Sequence, residues 1–464
     1  MINNFTASQG IGKSTSHSSL ITCLIVSVMA GFVFLFTGYK EPIVSDDVTS
    51  LATVAALSEK GTLAISEMRW LDRFVGVGAT GIDGNLYSKY GIGQVLVALP
   101  FYSLGRMIPS PPSVWSNHVI ANSSSGVRFA LFTNALLGAA LVYVTSSLIE
   151  AVWGKFRLLS ALVLAFASPV FFASRTFGTE IGSALSLVIA VWCCLRKHFT
   201  LGMLFVCIAA LFRPITIIFS ASWLIFLWKR PCREWFLNTM VLGAGVLALA
   251  GYNVWRYGTI TQTGYAEGTG FTFQLEGLMG FFASPGRSII YFMPIAVFMI
   301  SSISSIIKSR NTFLMGILCG IAAFFFAHAM WREWYGGWTY GPRLLIPIIP
   351  FIVLVVAPYL TQWIAAPFIW VGYFVQIITL AANPIAVLES AIRSGSTLGQ
   401  TIWWFQVSPI VLQARALSDP SAIPIIGLLI IVALALFIYY RSISHKQHDR
   451  EQFRAEAKRR YPLW

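Results

Sequence analysis

Apolar runs close to 20 residues long recur through the chain, each closed by a short polar or basic stretch. A helix of about 20 residues rises roughly 30 Å and so crosses the hydrocarbon core of a bilayer. The pattern predicts spans near 19–38, 128–150, 157–174, 180–195, 199–212, 214–228, 235–252, 288–306, 313–330, 343–357, 364–381 and 422–440, twelve in all. The expected fold class is an all-α polytopic membrane protein. One further apolar stretch, Ile92 to Leu104, reaches only about 20 Å at 1.5 Å per residue, and it predicts a juxtamembrane or re-entrant helix at the outer surface.

Charge then orients the pattern. Lys155/Arg157, Arg196/Lys197, Lys229/Arg230/Arg233, Lys308/Arg310 and the tail from Arg441 to Arg460 all fall on one side, which the positive-inside bias assigns to the cytoplasm. Counting Ile92 to Leu104 as a span would put all of them on the wrong side. The expected organisation is a cytoplasmic segment at 1–18, a transmembrane domain at 19–440 whose first extracytoplasmic loop covers 39–127, and a basic cytoplasmic tail at 441–464. The first span is too long for a cleaved signal and lacks a small-x-small site, so a retained anchor is expected.

Composition excludes several classes. At 56% hydrophobic and 11% charged, with mean hydropathy +0.72, the chain is no soluble globule. The formal charge of +14 comes from short loops and the tail, so no nucleic-acid partner is expected. Cys23, Cys193, Cys194, Cys207, Cys232 and Cys319 lie in or beside spans without zinc-like spacing, which argues against disulfides and thiolate metal sites. The string from Gly10 to Thr15 imitates a phosphate loop, but Ala7 stands where the motif needs glycine and no strand precedes it.

Candidate chemistry gathers on the outer face, where the first loop carries Glu41, Asp46, Asp47, Glu59, Glu67, Asp72 and Asp83. Asp46 and Asp47 follow the first span within about ten residues, close to the membrane surface, where partial burial and each other's charge set a carboxylate's readiness to take a proton. The plain alternative is a cap for a helix beginning at Val48. Lys89, just before the short surface helix, is placed to meet a lipid phosphate or simply to snorkel. Glu180 opens an apolar run where an acid is costly unless paired; its alternative is a helix start capped by Thr179. Two aromatic-glycine clusters, Tyr252 to Arg287 and Trp331 to Arg343, bring Arg287 and Arg343 as further phosphate-binding cations and Tyr265, Trp338 and Tyr340 as substrate-binding aromatics, joined by Tyr87 of the first loop. An interfacial aromatic belt would account for the rings alone, but not for the paired glycines and flanking arginines.

At these residues the chain resembles the GT-C membrane glycosyltransferases, in particular the bacterial group similar to dolichyl-phosphate-mannose-protein mannosyltransferases and to the aminoarabinose transferases of lipid A. The resemblance rests on order and spacing: the acidic pair, Tyr87-Ser-Lys-Tyr-Gly91, Arg175-Thr-Phe-Gly-Thr-Glu180, Ser284-Pro-Gly-Arg287, and the loop from Trp334 to Arg343. It implies catalysis by Asp46 or Asp47, a second acid at Glu180, and a lipid-phosphate contact at Lys89. It also implies either a divalent ion shared by Asp47 and Glu180 or catalysis without metal. A short basic tail stands where some members carry a large soluble domain, so recognition of a folded acceptor by such a domain is not expected. The function expected is inverting transfer of a hexosyl or pentosyl unit from a polyprenyl-phosphate donor to a hydroxyl on a lipid, glycan or protein, at the periplasmic face of a bacterial inner membrane. The competing readings are a flippase or transporter, or a polymerase or ligase, of lipid-linked saccharides. Against a transporter, no two-fold repeat is visible and the polar residues cluster outside.

Overall fold

The computed structural model describes residues 17–265, 270–417 and 427. The phosphate-loop imitation at 10–15, the expected span at 422–440 apart from residue 427, and the basic tail lie outside the described residues.

The chain is an integral membrane protein built almost wholly of helices. Four helical stretches are long and apolar enough to cross a bilayer: Ser124–Trp153, Cys232–Tyr257, Thr312–Ala329 and Trp363–Leu380. Seven shorter apolar helices, of 10–17 residues, occupy other expected spans: Ile21–Thr37, Arg157–Phe166, Glu180–Leu195, Phe199–Phe212, Pro214–Phe226, Pro294–Ser309 and Arg343–Tyr359. Twelve full crossings are therefore not established, and the reason is local. The apolar window at 157–174 breaks at Ala167, where Ser168 and Pro169 intervene before a short turn at Val170–Ala173. Prolines likewise turn Pro214–Ala221, Pro294–Phe298 and Arg343–Ile348 into 3-10 segments, because a proline withholds the N–H that the α ladder needs.

Helix Ser124–Trp153 is the central post; it packs against His17–Thr37, Gly93–Arg106, Arg157–Phe166 and Glu180–Leu195. Every residue of Ile349–Val356 is buried in the same core. Apolar burial drives little association within lipid, so close packing and polar contacts hold such helices together. One such contact is Trp153 Nε1 donating to the Leu354 carbonyl at 2.9 Å. Helix Cys232–Tyr257 stands apart: only 6% of its apolar window is buried, and it packs chiefly on Phe199–Phe212.

The loop after the first helix is a folded layer with its own core of Val48, Leu51, Met68, Leu86, Tyr102 and Ile120, among others. It runs through helices Ser45–Lys60 and Arg69–Val75, a hairpin pairing Gly78–Thr80 with Leu86–Ser88, helix Gly93–Arg106, and a second hairpin pairing Ser113–Trp115 with His118–Ala121. Glu59 fastens the layer, accepting from the Tyr102 hydroxyl and from Asn122 Nδ2 at 2.6 Å. Helix Ser45–Lys60 starts three residues earlier than the expected Val48, so Asp46 and Asp47 stand in its first turn. Val44 occupies the cap position, and no side-chain cap bond forms.

Candidate functional site

Four segments far apart in sequence meet at the start of helix Ser45–Lys60. Arg343 is the hub. Its Nη2 lies 2.7 Å from Asp46 Oδ2, and its Nε donates to Glu180 Oε1 at 2.6 Å. Arg213 Nη1 donates to the same Glu180 oxygen, and the Tyr90 hydroxyl donates to the other oxygen of Asp46. Thr179 makes no side-chain cap bond, so Glu180 is held by cations and not by a capped helix start. Among the residues named from sequence, Asp46, Asp47, Glu180 and Arg343 are brought together. Lys89 belongs to the same cluster: its charge acts on Asp46, and its ammonium sits 5.4 and 5.2 Å from the ring centres of Tyr90 and Tyr265.

The turn before Glu180 is built for this. Asn134 Nδ2 donates to the carbonyls of Thr176 and Gly178 at 2.8 and 2.7 Å, and Gln94 Nε2 donates to Asn134 Oδ1 at 2.9 Å. A Cβ at Gly178 would fall 2.0 Å from Glu180 Oε2, so only glycine lets the carboxylate fold back over its own helix start. The loop carrying Arg343 is anchored at three points: Trp334, 1% exposed and edge-on to Phe281; Tyr340, packed on Phe172 and Phe292; and Arg287.

The two aspartates differ sharply. Burial raises the Asp46 carboxyl, but Arg343, the Tyr90 hydroxyl and Lys89 more than offset this and hold it below the usual range. Asp47 is 2% exposed, and among the described residues no side chain donates to it; its hydrogen bond comes from the Ile43 amide at 3.4 Å. Burial pushes it up to about 7, with the charges of Asp46 and Glu180 adding to the rise and Arg343 opposing it. Asp47 and Glu180 line one cleft with Phe172, Trp338, Thr339 and Arg343. The cleft is narrow: ≈ 20 Å³ is open to a water-sized sphere, enough for about one water.

Three expected contacts take other places. Arg287 is fully buried and donates to the carbonyls of Tyr335, Gly286 and Gly337 at 2.8, 2.8 and 3.0 Å, so it pins the Trp331 to Pro342 loop and does not face a phosphate. Tyr340 directs its hydroxyl to the Val375 carbonyl within the core, and Tyr87 donates to Asp83 at 2.7 Å. Trp338, 41% exposed, stays at the cleft. Arg213 and Tyr90 were missed. A lone arginine before Pro214, between two apolar runs, is the signal that would have found the first.

The carboxylates do not fit a divalent ion. Glu180 Oε1 already takes two guanidinium groups, which would repel a divalent cation, and among the described residues no group of three His, Cys, Asp or Glu could hold a metal.

No family model and no curated protein matches the chain. Among solved structures it is similar to ArnT from Cupriavidus metallidurans. The match to the crystal structure bound to undecaprenyl phosphate has a TM-score of 0.53 at 13% identity, covering 92% of this chain and 73% of that one. The apo crystal structure gives 0.54 at 13% identity, covering 91% and 72%. The chain therefore has the GT-C fold, over most of its length.

Proposed function

We propose that the chain is an inverting glycosyltransferase that moves a hexosyl or pentosyl unit from a polyprenyl-phosphate donor to an acceptor hydroxyl at the outer face of a bacterial inner membrane. The observation that carries this reading is the contrast within the acidic pair: Asp46 is tied to Arg343 and Tyr90, while Asp47 faces the cleft with a proton affinity matched to neutral pH. The likeness to an ArnT crystallised with undecaprenyl phosphate supports the donor class.

In this mechanism the acceptor oxygen attacks the anomeric carbon as its proton passes to Asp47. The bond from that carbon to the phosphate oxygen breaks on the opposite side, and its electron pair leaves with the polyprenyl phosphate. A phosphate monoester has its second pKa near about 6, so it departs without a general acid. Lys89 donates one ammonium hydrogen to the Gly76 carbonyl at 2.6 Å and keeps two for the donor phosphate. Arg343 and Arg213, fixed by Glu180, add a preorganised positive field in a water-poor site. Trp338 and Tyr265 border the sugar.

The test is transfer of a radiolabelled lipid-linked sugar in proteoliposomes. Asp47→Asn is expected to lower the rate about 10²- to 10⁴-fold. Full activity in Asp47→Asn together with loss in Asp46→Asn would move the base to Asp46; full activity in both would remove the mechanism.

A further inference from the structure

The outer end of helix Cys232–Tyr257 is joined to the hairpin before Lys89 by a buried cation that pairs with no acid among the described residues. Arg256 is 4% exposed and forms no salt bridge among the described residues. Its Nη1 donates to the Ser88 carbonyl, and its Nη2 donates to Asn253 Oδ1 at 2.7 Å. The guanidinium lies over the rings of Tyr252 and Tyr257 at 3.9 and 4.6 Å. Tyr257 donates its hydroxyl to the same Ser88 carbonyl at 3.1 Å, and the Arg256 carbonyl accepts from the Ile82 amide at 3.2 Å.

An arginine in the last turn of a helix is ordinarily favoured by the macrodipole with its head in water. Arg256 is buried instead, and taking an unpaired guanidinium out of water is costly. Helix capping therefore does not explain it. What the guanidinium grips is the peptide joining Ser88 to Lys89. Lys89 is also held from its own hairpin, through its amide to the Val77 carbonyl at 3.1 Å, and it is covered by the ring of Tyr265 from the loop that follows Tyr257. Along its apolar window the helix packs chiefly on Phe199–Phe212 and is otherwise little covered, so this junction is where it engages the first loop.

We propose that Arg256 is a positioning residue for Lys89: by fixing the Ser88 carbonyl it sets where the Lys89 ammonium meets the donor phosphate. This rests on the donor-phosphate role given to Lys89 above, and the test separates the two. In proteoliposomes, Lys89→Gln and Arg256→Gln are each expected to raise the donor KM about tenfold while kcat changes little, and the double variant is expected to be no worse than Lys89→Gln alone. Arg256→Lys, which keeps one donor group for the Ser88 carbonyl, should fall between wild type and Arg256→Gln. Hydrogen exchange of the amides of residues 76–90 should be faster in Arg256→Gln, whatever the role of Lys89. A raised donor KM in Lys89→Gln beside an unchanged one in Arg256→Gln, or additive effects in the double variant, would overturn the positioning role and leave the phosphate contact standing. An unchanged KM in Lys89→Gln would remove the phosphate contact itself. Unchanged exchange in Arg256→Gln would show that the clamp does not hold the hairpin.

Discussion

Asp47 is an acid whose surroundings set both its chemistry and its cost to the fold. A base must be ionised to accept a proton, so with its pKa pushed up to about 7, kcat/KM is expected to rise with pH through that value and then level off. A pH profile with no limb near neutrality would count against the assignment. The same shift predicts a stability effect of definite sign. Unfolded, the carboxyl titrates at about 3.9, so between about pH 4 and 7 the unfolded chain ionises while the folded one holds its proton; stability falls through that window and the loss stays constant above it. Asp47→Asn is therefore expected to raise Tm relative to wild type more at pH 8 than at pH 5, measured by thermal unfolding in detergent. An unaltered gap between the two pH values would show that Asp47 is not buried as an acid. At this scale the sequence was partly legible. Costly carboxylates and an outer arginine were visible as anomalies in an oily chain, and Asp46, Asp47, Glu180 and Arg343 do meet. Arg287 and Tyr340 carried the same outward signs yet became scaffolding, because whether a buried donor meets a carbonyl or a ligand depends on packing that no local pattern records. Tyr90 and Arg213 escaped notice because their partners lie 44 and 33 positions away.

The elements hold the site by converging on Glu180. Its carboxylate, 2% exposed, balances two guanidiniums that are themselves mostly buried, and removing one partner of such a cluster leaves an uncompensated charge that costs up to about 3–5 kcal/mol. Glu180→Gln is thus expected to lower stability and to release Arg343 from its place beside Asp46, giving a lower Tm and reduced transfer together. Gly178→Ala tests the same point from the backbone: the added methyl lands 2.0 Å from Glu180 Oε2, and that oxygen cannot swing aside while both arginines hold the group. A variant with wild-type Tm and wild-type transfer would show the clasp to be slack. Helix identity was legible from apolar windows, since the central helices stand where hydropathy put them. Helix length was not, because the prolines at 214, 294 and 347 divert part of their apolar windows into 3-10 turns.

Over the whole molecule, the folded first loop, the turn before Glu180 and the loop before Arg343 all lie at one end of the helices, and the mechanism works only if that end faces the compartment where donor and acceptor meet. The basic loops supply an independent orientation, because Arg230, Arg233 and Lys308 belong to the opposite end under the positive-inside bias. The native thiols make this testable. Cys232 is exposed and lies between Arg230 and Arg233, whereas Cys23, Cys193, Cys194 and Cys207 are buried. A membrane-impermeant maleimide is expected to leave Cys232 unlabelled in intact spheroplasts and to label it once they are permeabilised. In an Arg73→Cys variant lacking Cys232, the new thiol sits on the exposed face of helix Arg69–Val75 in the first loop and should react without permeabilisation. Labelling of Cys232 from outside, with protection at residue 73, would put Asp47 and Lys89 in the cytosol, where the basic loops could no longer be the cytoplasmic ones and an outward-facing transfer reaction would have no site.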